Sequence, residues 1–89
     1  MNASRRGRLR EIRKRLNEIN RDLGIAKSDI ESVNEEEEDA RSNMPENLAN
    51  SDKYEVSEEC SESMDSAIET ISDAMCSIGK AIVFIEGAT

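Results

Sequence analysis

Seven basic side chains crowd the first fifteen residues: Arg5, Arg6, Arg8, Arg10, Arg13, Lys14 and Arg15. All but one are arginine, whose planar fork suits two-pronged contact with phosphate or carboxylate. A helix N-terminus would add free N–H donors for an anion. The chemistry on offer is binding of a phosphate-bearing partner, either nucleic acid or a signalling nucleotide. The competing reading is a solvated face paired with acids of a neighbouring chain, which is the commoner fate of a charge run. No aromatic residue lies nearby in sequence to stack on bases, which disfavours single-strand binding.

A second candidate cluster surrounds the only proline. Asn43, Asn47, Ser51 and Lys53 precede Tyr54, the one tyrosine, and could hold a ligand at a turn. The plainer role for Tyr54 is packing at a helix start. Glu35-Glu36-Glu37-Glu38-Asp39 could mimic a nucleic-acid backbone, but such runs more often cover a solvated face. They also lack the alternating ligands and central glycine of a calcium loop.

Catalytic groups are scarce. The chain has no histidine, which removes His-based catalysis and His metal sites. Cys60 and Cys76 lie without metal-ligand spacing, and the four glycines form no phosphate-cradling loop. No nucleophile stands beside a recognisable base. We expect a protein that is not an enzyme and needs no metal or cofactor.

Two heptad series must position these groups. In the first, Leu9, Leu16, Leu23, Ile30 and Glu37 occupy a, with Ile12, Ile19, Ala26, Val33 and Ala40 at d. In the second, Met64, Ile71, Ile78 and Ile85 occupy a, with Ala67, Ala74 and Ala81 at d and Ile68, Met75 and Ile82 at e. Only an α-helix brings such positions onto one stripe. The spacing predicts a helix over about 4–42 capped by Ser4, a turn over about 43–50, and a second helix over about 51–86. Asp52 and Glu55 have capping-box spacing, and Gly87 suits a helix end. Pro45 must end the first helix, because its ring disfavours helical geometry at Met44. Gly24 interrupts the first helix at a cost of about 1 kcal/mol, and would mark either a kink or a close neighbour. The expected architecture is all-α: one antiparallel hairpin domain spanning 1–89, a rod of roughly 50 Å.

The 89 residues lie near the lower size limit for a self-sufficient core. In the second helix the e row widens the apolar face beyond what one partner covers. We therefore expect self-association through Ile68, Met75, Ile82, Ala67, Ala74 and Ala81, most simply a dimer forming a four-helix bundle. Charge is bipolar as well. Residues 1–27 carry nine basic and three acidic side chains, whereas 28–62 carry two basic and thirteen acidic ones. Two hairpins laid head to tail would set each basic end beside the other's acidic end. No stretch is long and apolar enough to span a bilayer. No apolar segment follows the arginines as a secretory signal would require. A cytoplasmic chain with reduced thiols is the expectation.

Asn43-Met44-Pro45-Glu46-Asn47-Leu48, followed by Ser51 and Tyr54-Glu55, resembles the centre of a family of small helical-hairpin proteins. These occur in phages and prophages of Gram-positive gut bacteria and mostly have no assigned function. The resemblance implies a phage accessory protein of the host cytoplasm and carries over no active site. By class analogy such proteins act against host defence, sequestering a signalling nucleotide or blocking an immune effector. A nucleic-acid-binding accessory using the Arg-rich helix is the alternative, and a structural or assembly component the third. Here the first helix is richer in arginine than that family, and the second richer in Ser, Met and Cys.

Overall fold

The computed structural model describes residues 1–48 and 51–89. Helix α1 (Ala3–Ser42) and helix α2 (Asp52–Ala88) flank a single 3-10 turn, Glu46–Leu48. They pack side by side as an antiparallel hairpin 70 Å long and 14 Å wide. The rod exceeds the expected 50 Å because α1 alone has 40 residues, about 60 Å at 1.5 Å each. The expected turn includes Ala49 and Asn50, which lie outside the described residues.

Local signals account for most of the helix ends. Asn2, not Ser4, caps α1: its Oδ1 accepts from the Arg5 backbone N–H at 2.9 Å. Asparagine is as good a cap as serine, so the helix gains two residues. Asn43 closes α1, its N–H bonding to Asp39 and Arg41 carbonyls. Ser51 caps α2, accepting from the Tyr54 N–H and donating to the Leu48 carbonyl at 2.6 Å. Gly87 does not terminate α2. No glycine takes a positive φ, and the helix continues to Ala88.

The seam between the helices departs from the a/d pattern. In both helices it is built from a and e. Leu9, Leu16, Leu23 and Ile30 are half-buried against Met64, Ile71, Ile78 and Ile85, together with Ile68, Met75 and Ile82. The d residues Ile12, Ile19 and Val33 stand 40–54% exposed. The reason lies in α2. Its bulky apolar side chains sit at a and e, while d holds only alanine, so turning a/e inward removes the most apolar area from water. This corrects the expectation that Ile68, Met75 and Ile82 face a second chain. They belong to the hairpin itself, and Ile82 is its one buried apolar residue among the described residues.

Helix α1 meets this face with a polar ladder at e: Arg13, Asn20, Lys27, Asn34 and Arg41. Asn34, buried, donates from Nδ2 to Asp65 Oδ1 at 3.0 Å. Arg41 Nη1 donates to the Ser57 carbonyl and to the hydroxyls of Ser57 and Ser61 at 2.9–3.1 Å. Both serines are buried. At the far end, Arg13 reaches Glu86 at 4.0 Å. A polar group within a helical seam fixes register, because any slip strands it without a partner. Arg41→Ala should cost about 1–3 kcal/mol, since two buried hydroxyls lose their donor. Thermal melts of the variant measure this, and an unchanged midpoint would show that Arg41 is no clamp.

Gly24 marks a close neighbour. A Cβ built there would lie 3.4 Å from Met75 Cε, ordinary contact with the end of a flexible side chain. Gly24→Ala should therefore recover about 1 kcal/mol of helix propensity and raise the melting temperature by about 4–8 °C. A lowered midpoint would mean that Met75 has no room to yield.

Candidate functional site

The basic arm is a consequence of helix register. The Asn34–Asp65, Gly24–Met75 and Arg13–Glu86 pairs set Ala88, the last residue of α2, level with Glu11. Residues 3–10 of α1 therefore extend past their partner helix by about 12 Å. Arg5, Arg6, Arg8 and Arg10 are exposed on this overhang and make no ion pair among the described residues. Arg13 is half-buried, and its contact with Glu86 is at the 4.0 Å limit. A surface pair of that length is worth little, so the guanidinium stays available.

Helical spacing sorts these cations onto two faces. Arg6, Arg10 and Arg13 follow one another at four and three residues, the interval that stacks side chains on one side. An open groove continues that side along Arg10, Arg13, Lys14 and Arg21, with Glu11 and Glu18 beside them. Arg8 and Arg15, seven apart, line the opposite side near Ile12, where a second open groove runs. Both grooves are shallow surface features of a rod. They suit an extended anionic surface better than an enclosed small molecule.

The tip residues stand at the other end of the molecule. Asn43 and Asn47 are exposed, as is Lys53. Ser51 is occupied by capping, and Tyr54 is half-buried at the end of the seam. Within one chain, the arginines and the tip residues do not meet: about 45 Å or more of a 70 Å rod separates them. A single site using Arg5–Arg13 together with Asn43, Asn47, Ser51, Lys53 and Tyr54 would need more than one chain.

The remaining groups follow suit. Cys60 and Cys76 are exposed free thiols. No cluster of three metal-binding side chains occurs among the described residues. No helix there is long and apolar enough to cross a membrane. The polar ladder is what residue types alone concealed, since Arg13, Asn20, Lys27, Asn34 and Arg41 look like a solvated column. Their seven-residue recurrence, opposite serines at 57 and 61, is the signal that identifies them. No protein-family model, curated protein or solved structure matches the chain.

Proposed function

We propose that the chain is a non-enzymatic binding protein that captures a phosphate-bearing polyanion on its basic arm. One observation carries the reading. Four unpaired arginines project from a helical overhang beyond α2, on a chain whose net charge is −8. Unneutralised cations are self-repelling and cost stability, so an arm that concentrates them is best explained by an anionic partner. The strip from Arg6 to Arg21 runs about 22 Å along one side. That length matches several successive backbone phosphates rather than one nucleotide. The acidic stretch around Glu35–Asp39 would repel the same polyanion and so confine contact to one end of the rod.

The resemblance to phage hairpin proteins supplies the setting, a host cell in which the partner is nucleic acid held by a defence system. Binding should be read as fluorescence anisotropy with labelled duplex and single-stranded oligonucleotides. Affinity should fall steeply with salt as counterions are released. Arg6→Gln, Arg10→Gln, Arg13→Gln and Lys14→Gln combined should weaken binding at least about tenfold and flatten the salt slope by roughly three to four. A stoichiometric complex with a nucleotide, and none with oligonucleotides, would transfer the role to nucleotide sequestration. Absence of both would leave the structural-component reading.

A further inference from the structure

The seam leaves the d columns of both helices on one flank of the hairpin. In an antiparallel pair, columns displaced in the same rotational sense from the seam fall on the same side. The open grooves bear this out: one is lined by Ile30 and Val33 of α1 with Met64 and Ala67 of α2. Another joins Val56, Cys60 and Met64 to Glu37. The opposite flank is polar, with Asn17, Glu31 and Glu38 on α1 and Glu58, Asp65 and Glu86 on α2.

This chain has surface to spare. Its accessible area is 6633 Å², against about 5200 Å² for a compact monomer of its mass. The excess of about 1400 Å² exceeds the roughly 800 Å² per partner of a standard interface. Among the described residues only Ile82 is a buried apolar side chain, while Ile12, Ile19, Val33 and Phe84 are exposed.

The geometry points to a second copy of this chain as the occupant of the flank, docked head to tail with α1 on α1 and α2 on α2. The outer rim of the flank on α1 is the column Arg8, Arg15, Asp22, Asp29 and Glu36. Its charges change sign along the helix, so an antiparallel copy is complementary to it on either side of Asp22, which meets its own copy at the axis. A two-fold axis at Asp22 sets Arg8 against Glu36 of the second copy and Arg15 against its Asp29. The same axis brings Ile12 over the copy's Val33 and Ile19 over its Ala26, large against small. On α2 the Gly24–Met75 contact places Ser77 level with Asp22. The single axis therefore also sets Ala74 over the copy's Ala81, and Phe84 over its Thr70. Alanine rows permit the close approach that such a layer needs. The α2 pairs follow from the axis set on α1 and bring no bulky pair into conflict. A copy with its turn beside the first turn would instead lay each α1 on the other chain's α2, without these rim pairs.

Arg8 on the rim and Arg5 in the d column are shared with the basic overhang, whereas Arg6, Arg10, Arg13 and Lys14, the positions replaced in the polyanion test, lie away from this flank. Two measurements test it. With Cys60→Ser and Cys76→Ser in place, Asp22→Cys should be joined to its copy by a short bis-maleimide linker at least tenfold faster than the outward Glu18→Cys control. Leu48→Cys, at the turn, should not link to itself. Arg8→Glu with Arg15→Glu should raise the dimer dissociation constant at least tenfold in sedimentation. Adding Asp29→Arg and Glu36→Arg should restore it, which also shows that the charge-reversed chain still folds. Equal rates for Asp22→Cys and Glu18→Cys, fast Leu48→Cys linking, or failure of the fourfold swap to recover association would overturn the arrangement.

Discussion

Replacing Ile82 by aspartate is expected to abolish the cooperative thermal transition of this protein. Ile82 is 8% exposed, the one buried apolar side chain among the described residues. It sits in a seam whose other apolar residues are only half-covered. An isolated carboxylate there loses its hydration, and the ladder residue nearest its level, Asn20, carries no charge to pair with it. Burying an unpaired charge costs several kcal/mol even after relaxation. A domain of this length holds on the order of 5–10 kcal/mol in all. The single substitution therefore consumes most of the stability. Ile82→Val, which removes one methylene, should cost only about 0.5–1.5 kcal/mol. Circular dichroism melts of the pair separate these outcomes, and a cooperative Ile82→Asp melt near the parental midpoint would show that the seam does not hold the hairpin.

The second large effect concerns side chains that look dispensable. Ile12, Ile19 and Val33 are 40–54% exposed on the hairpin, and exchanging such residues for serine normally shifts stability by no more than about 0.5 kcal/mol each. On a flank covered by another copy they count as core. Each loses about 1.5–3 kcal/mol of transfer energy, so the triple serine variant should melt more than about 15 °C below the parent. The parental midpoint should also rise with protein concentration, as linkage to association requires. The triple variant should show no such rise. A small, concentration-independent shift would return these residues to ordinary surface.

Much of the fold was legible in the residue pattern, and the reasons are local. Two heptad series define two helices, and Pro45 ends the first whatever follows it. Caps were less secure. Asn2 and Ser4 are both good N-caps, and it is Asn2 that accepts from the Arg5 N–H. Gly87 carries a helix-ending signal that the last turn of α2 simply overrides. The seam was misjudged for a tertiary reason. Periodicity locates an apolar stripe to within one column, but which pair of columns turns inward depends on side-chain volume in the partner. Alanine at d in α2, against isoleucine and methionine at e, decides it. The polar ladder was hidden for the same reason, because Asn34 and Arg41 become seam residues only once α2 presents Asp65, Ser57 and Ser61 to them.

The candidate site was legible in composition and not in extent. An arginine-rich start is plain from the residues. Its projection past α2 is not, because overhang depends on where the turn sets the register. Nor could spacing along the chain reveal that Tyr54 and Lys53 stand at the opposite end of the rod from Arg5 and Arg6. Distance in a hairpin is governed by level, and level is set by pairs such as Asn34–Asp65 and Arg13–Glu86.

Sedimentation equilibrium over a wide concentration range, recorded alongside helicity, probes most directly whether this hairpin is half of a larger bundle. Twice the chain mass of 9.9 kDa is expected at high concentration, with helicity declining as dilution separates the copies. A fully helical 9.9 kDa species at every concentration would contradict it.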